Sequence, residues 1–295
     1  MKPNASHFAA TLFPVSLLII AMVSVQSGAS LAKSLFPLVG AQGTTALRLC
    51  FAALILLVIL RPWRVRLTLQ SLRTLAIFGI ALGGMNFLFY MAIRTVPLGI
   101  AVALEFTGPL AVALLGSRRV VDFLWISLAV TGLVLLIPSG STTANVDLNG
   151  ALYAIGAGVC WAGYILFGQK AGNDHGVQTT ALGVLIAALV IVPLGVAHAG
   201  AALLNPAVIP AAVGIAILST ALPYSLEMVA LTRMPARTFS TLMSLEPAVG
   251  AVSGLIFLSE SLSSLQWLAI ASIVLASVGA TLTSRPKSEA LVAVD

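Results

Sequence analysis

Five ionisable side chains stand inside long apolar runs, where each one must have a reason to be. Glu105 sits in the middle of LEFTGPLAVAL and Glu246 in the middle of SLEPAVGAV, while Arg48 lies about 10 Å along its run by helical rise. Lys33 and Glu227 stand nearer the ends of theirs. A charge at the centre of hydrocarbon costs at least about 2.5 kcal/mol on insertion scales, so such groups usually mark a pathway or a partner. Lys33 and Glu227 are near enough to an interface for their stems to carry the charge out to water. Glu105 and Glu246 are too deep for that. A carboxyl at such depth can exchange a proton or accept an ammonium, and a guanidinium can hold a carboxylate in a planar fork. The plainer reading is a carboxyl bonded to a neighbouring helix, with Arg48 paired to one of the two glutamates.

Neutral polar residues fall on shared helical faces. Gln26, Ser30 and Lys33 follow one another at i, i+4 and i+7, and Gly83, Asn86 and Tyr90 share a face. Trp161 neighbours Tyr164, and Ser219, Pro223 and Glu227 align. One by one, these are interhelical hydrogen bonds worth roughly 0.6 kcal/mol each. Together, they line a polar cavity. Its candidate binding residues are Glu105, Asn86, Trp161, Arg48, Gln26 and Tyr90, with Glu105 and Glu246 as proton-handling groups. Pro109, Pro223 and Pro247 interrupt three of the runs, and each frees a carbonyl about one turn earlier. Such breaks are tolerated where the freed groups line a cavity.

Other chemistries find no foothold. There is no HExxH and no nucleophile–base signature, so no catalytic residue is expected. Cys50 and Cys160 lie in apolar runs with no disulfide or metal spacing, and His7, His175 and His198 fall in the tail or loops, so neither a metal nor a cofactor is expected. GASLAKS (28–34) lacks the glycine before its lysine that a phosphate loop requires.

The elements that must position these groups follow from composition. Of 295 residues, 59% are hydrophobic and only 8% charged, against about a quarter charged in soluble domains. Lipid is the solvent that suits such a surface. Apolar runs near 13–35, 41–60, 73–93, 98–116, 121–138, 149–169, 177–197, 207–231, 236–257 and 262–283 are each long enough to cross it. The first run is too long, and its leader too weakly basic, for a cleaved signal, so it is read as a retained span. Trp125 and Trp267 stand near span starts as interfacial anchors. Ser272, Ala276 and Ala280 form a small-residue ladder suited to close packing within the bundle or in a dimer.

The net charge of +6 is an orientation signal rather than a nucleic-acid footprint. With ten spans, Lys2, Arg61, Arg64, Arg66, Arg73, Arg118, Arg119, Lys170, Arg233, Arg237, Arg285 and Lys287 all fall on one side, and only Lys33 and Arg94 lie toward the other. The positive-inside rule then places both termini in the cytoplasm. The connections are too short to hold a soluble domain.

An internal repeat emerges at a shift of 138 positions. Leu104 meets Leu242, Pro97 meets Pro235, Pro109 meets Pro247, Gly116 meets Gly254, and Asp122 meets Glu260. A unit of five spans is odd, so its second copy must be inverted in the membrane, an arrangement typical of secondary transporters. The sequence therefore predicts an all-α polytopic membrane protein of ten transmembrane helices in two inverted five-helix repeats. The first repeat takes residues 1–140, the second 148–285, and a cytoplasmic tail 286–295.

The chain as a whole resembles the EamA family of the drug/metabolite transporter superfamily. SLEPAVGAVSGLIFLSESLSSLQWLAIASIVLASVGATL (244–282) is similar to the family's second-repeat ending. The stretches 24–49, 85–123 and 219–248 are similar to its amino-acid-exporting branch. The resemblance implies a bacterial inner-membrane carrier that exports threonine, homoserine and related small amino acids in exchange for protons, with spans five and ten at a homodimer contact. Family members differ widely in cargo, so efflux of another small solute is the alternative. Under the first reading, Glu105 or Glu246 takes the substrate ammonium, and Arg48, Asn86 or Lys33 holds its carboxylate.

Overall fold

In lipid every backbone polar group must be satisfied within its own segment, so apolar runs of this length fold as helices. A computed structural model describes residues 5–65, 67–115, 120–136, 147–231 and 242–283, and its regular structure is helical throughout. The helices fall into ten groups. These are α1 (Ala5–Ala32), α2 (Phe36–Leu60), α3 (Leu69–Ala92), α4 in two segments (Leu98–Glu105 and Thr107–Leu115), α5 (Val120–Leu136), α6 (Leu148–His175) and α7 (Gln178–Ala199). Then come α8 in three parts (Val208–Ala216, a π turn at Ile217–Ala221, and Leu222–Leu231), α9 (Glu246–Leu258) and α10 (Ser264–Thr283). Each expected span overlaps one group.

Among the described residues five stretches are long and apolar enough to cross a membrane: Phe13–Leu60, Leu69–Ala92, Leu148–Gly172, Gln178–Leu204 and Val208–Glu227. The first contains both α1 and α2, because their junction is itself helical, a short turn at Lys33–Leu35 followed by a kink at Gly40 with φ of 71°. The remaining apolar helices are shorter. Position 116 of span four, 137–138 of span five, 236–241 of span nine and the tail lie outside the described residues, as do Lys2, Arg66, Arg118, Arg119, Arg233, Arg237, Arg285 and Lys287.

Side-chain contacts gather the odd-to-even junctions at one end of the bundle. Lys33, after α1, reaches Glu260 between α9 and α10, and Glu260 also accepts the amide of Leu98 at the start of α4. Thr95, after α3, donates to Asp147, which caps α6 through the amide of Gly150. Gly40 lies against the imidazole of His198 at the end of α7. At the opposite end the Pro62–Arg64 turn packs on α7. This alternation is compatible with two five-helix units of opposite orientation.

The principal pairings are α2 with α7, α3 with α6 and α7, α1 with α8 and α9, α4 with α6 and α9, and α5 with α10. The outer faces carry exposed leucine, valine, isoleucine and phenylalanine, whereas Gln26, Ser30, Arg48, Asn86, Glu105, Ser219 and Glu246 are buried. That distribution reverses the soluble pattern and fits a lipid solvent. The small-residue ladder is used within the chain: Ala276 and Ala280 are buried with Leu110 and Ala129, and Gly132 of α5 sits against Ala269 and Ser272. Trp125 is likewise tied inward, donating through Nε1 to Thr283.

Candidate functional site

The site begins with a missing hydrogen bond. Pro223 has no N–H, so the carbonyl of Ser219 loses its ordinary helical donor. The chain opens into the π turn at Ile217–Ala221, a feature frequent at functional sites. The freed carbonyl and the hydroxyl of Ser219 both face Arg48, whose Nη1 donates to them at 3.5 and 3.2 Å. Helix α1 crosses the same turn. Ser24 donates to the carbonyl of Leu218 at 2.6 Å, and Gly28 permits the contact because a Cβ there would stand 2.8 Å from that of Ser219.

Arg48 is 3% exposed, and its partners are neutral. Its Nη2 donates to the carbonyl oxygen of Asn86, and its guanidinium lies 4.4 Å from the centre of the Tyr90 ring. Asn86 is held in turn, donating to the carbonyl of Leu82 at 2.7 Å and to the Tyr224 hydroxyl at 3.5 Å. Arg48 Nε and the Tyr90 hydroxyl are buried without a partner. Among the described residues no carboxylate forms an ion pair with Arg48, so the expected pairing with a glutamate is not made.

The two deep glutamates sit at helix breaks rather than within continuous helix. Glu105 is the last residue of the first α4 segment, and Pro109 deprives its carbonyl of a donor. Helix α6 closes on that break with a glycine: a Cβ on Gly158 would stand 2.5 Å from the Glu105 carbonyl oxygen. Glu246 is the first residue of α9, with Pro247 behind it. The turn at Phe106 and the turn at Ser244 lie 138 positions apart, the register of the sequence repeat. The glutamates themselves are not repeat equivalents, since Glu105 maps to Met243.

Gln26 Nε2 donates to Glu246 Oε1 at 3.1 Å, leaving Gln26 Oε1 and Glu246 Oε2 buried without partners. Glu105 lies within electrostatic reach of both Glu246 and Arg48. Trp161 meets the Phe106 ring edge-on at 5.5 Å, beside the α4 break. The structure thus brings Arg48, Asn86 and Tyr90 together, joins Gln26 to Glu246, and sets Glu105 and Trp161 on the α4–α6 contact.

Other expectations are revised. Gly83 lies against Ala187 of α7 and serves close packing. Lys33 does not merely reach for an interface; it bridges to Glu260. Ser24, Ser219 and Tyr224 join the site without having been singled out as binding groups. The proline four residues after Ser219 was the available signal.

The arrangement offers two chemistries. The guanidinium can hold an anion, and the Gln26–Glu246 pair presents acceptors to a cation. Among the described residues no group of three His, Cys, Asp or Glu side chains is placed to hold a metal ion. Two surface grooves, one between α2 and α7 and one between α4 and α5, are lined by apolar side chains apart from Thr107 and Cys50, and they lie away from the polar cluster.

Comparison with known proteins agrees with this architecture. Residues 148–282 match the EamA-like transporter family. The threonine/homoserine exporter RhtA of Escherichia coli K12 is 60% identical over 276 residues, 94% of each chain, and that of Salmonella typhimurium LT2 is 58% identical over 96% of each. An uncharacterized transporter of Bacillus subtilis, YwfM, is 32% identical over 51% of this chain and 52% of its own. A crystal structure only 20% identical covers 96% of this chain and 99% of its own with a TM-score of 0.61, which speaks for the fold alone. Helices fit for a bilayer, polar groups buried at proline breaks and relatedness over nearly the full length lead to one assignment: this chain belongs to the EamA-like transporter family, a family of carriers and not of enzymes.

Proposed function

We propose that this protein exports threonine, homoserine and similar small amino acids from the cytoplasm in exchange for protons. The carrying observation is the pattern of buried polar atoms left without partners. Gln26 Oε1 and Glu246 Oε2 are acceptors, and Arg48 Nε is a donor. A buried polar group without a partner is costly, so a ligand that completes it gains correspondingly. Acceptors beside a donor are what a zwitterionic α-amino acid requires. Glu246 and Gln26 take the ammonium, Arg48 held by Asn86 takes the carboxylate, and Tyr90 and Trp161 close the walls. Glu105 handles the coupled proton, because its charge acts on both binding groups.

Exchange follows from competition. Protonation of Glu105 removes a negative charge that favours the ammonium at Glu246, so substrate and proton occupy the site in turn. The two five-helix units, 1–140 and 148–285, act as inverted repeats that expose the site alternately to each side. The protein is read as a multi-pass protein of the bacterial inner membrane with cytoplasmic termini, and the outward faces of α5 and α10 are read as the contact of a homodimer. The names of the close relatives support the cargo.

The test is counterflow of labelled threonine in vesicles containing the purified protein. Uptake above empty vesicles, competed by homoserine, is the expected result. Its absence with correctly folded protein overturns the reading.

A further inference from the structure

We propose that Lys33, Glu260 and the amide of Leu98 form the outer gate of the transport cycle, closed in this structure. The proposal rests on the inverted-repeat reading above and extends it to named gating groups.

The outer latch ties three junctions with one carboxylate. Lys33 Nζ lies 2.7 Å from Glu260 Oε1, and the Leu98 amide donates to Glu260 Oε2 at 2.7 Å. Lys33 and Leu98 belong to the first repeat and Glu260 to the second, so the bonds cross between the two moving units. Both latch residues of the first repeat lie seven positions from a site residue on the same helix, Lys33 from Gln26 and Leu98 from Glu105. Seven residues is about 10 Å of helix. Opening the latch therefore releases the two helix ends directly above the site. The bridging side chains are 23% and 16% exposed, so water reaches the pair when it parts.

The local backbone is shaped to present this carboxylate. Helix α9 ends at Ser259 in the left-handed region, with φ of 53°, and the Glu260 amide turns back to the Gly254 carbonyl at 3.1 Å. The carboxylate then lies over Gly254, where a Cβ would stand 2.6 Å from Oε2.

The test reads gate opening without any cargo. In full-length protein with Cys50→Ala and Cys160→Ala, Ser30→Cys places a thiol one turn inside Lys33 on the same helical face. A membrane-impermeant maleimide is then added from the outer side of intact cells. The parent labels slowly. Glu260→Gln and Lys33→Met each label at least ten-fold faster, and Lys33→Glu with Glu260→Lys recovers part of the protection. Labelling of Glu260→Gln and Lys33→Met at the parent rate overturns the outer gate. Absence of threonine counterflow in the parent would remove the cargo reading and leave these rates unaffected.

Discussion

The side-chain amide of Gln26 donates through Nε2 to Glu246 Oε1 at 3.1 Å and leaves two acceptors unused, its own oxygen and Glu246 Oε2. A polar contact between α1 and α9 that satisfied only itself would consume these acceptors. This one keeps two of them free beside each other. Glu246→Gln keeps the shape and removes the charge that an ammonium needs. Threonine binding to the purified protein should fall at least ten-fold. The melting temperature should hold or rise, because a buried charge has been removed. Loss of binding together with a fall in melting temperature would mark Glu246 as structural instead.

Arg48 offers a second test, because a guanidinium and an ammonium differ in shape rather than charge. Its fork reaches Ser219 with one nitrogen and Asn86 with another while its plane covers Tyr90. Lysine supplies a single compact charge and cannot make these contacts together. Arg48→Lys should reduce threonine counterflow at least ten-fold while the protein still inserts and purifies normally. Counterflow at the parent level would remove Arg48 from the carboxylate-binding role.

The sequence makes some of this legible and hides the rest, for physical reasons. Helical character and the approximate place of the helices follow from the apolar runs, because a bilayer requires each such run to satisfy its own backbone. The importance of Glu105, Glu246 and Arg48 is visible because each is costly where it lies. Spacing along a single helix says nothing about which neighbour a side chain meets, so the Lys33–Glu260 and Gln26–Glu246 contacts, both between distant segments, could not be read. The ladder of Ser272, Ala276 and Ala280 was ambiguous between bundle and dimer, since small residues favour close approach to any helix. The structure spends it on α5.

Close backbone contact at the α4 break gives a stability prediction. The Gly158 backbone meets both the Glu105 carbonyl and Gly108, and a Cβ on Gly158 would stand 2.5 Å from the Glu105 oxygen. Adding a methyl group to so tight a contact forces the helices apart, and overpacking of this kind costs about 1–3 kcal/mol. Gly158→Ala should lower the melting temperature in detergent by several degrees. Gly172→Ala, where a Cβ meets nothing within 4 Å, should not lower it and serves as the control. Equal melting of the two variants would show that α4 and α6 are less closely packed.

Glu105 tests coupling as distinct from binding. It is buried at the end of the first α4 segment, and its charge acts on both Glu246 and Arg48. If Glu105 carries the exchanged proton, its amide analogue fixes one charge state while leaving the two substrate-binding poles in place. Two assays then separate. Counterflow, in which labelled and unlabelled threonine exchange without net movement, needs no proton and should persist in Glu105→Gln at no less than about a third of the parent rate, a loss under 1 kcal/mol in barrier terms. Concentrative transport driven by a pH difference needs the proton. In the parent, acidifying the side opposite the substrate pool should drive threonine toward that acid side, because protons enter as the amino acid leaves. In Glu105→Gln the same gradient should produce no accumulation. Gradient-driven transport at the parent level would clear Glu105 of the coupling role and shift it to Glu246. Loss of both activities would assign Glu105 to binding.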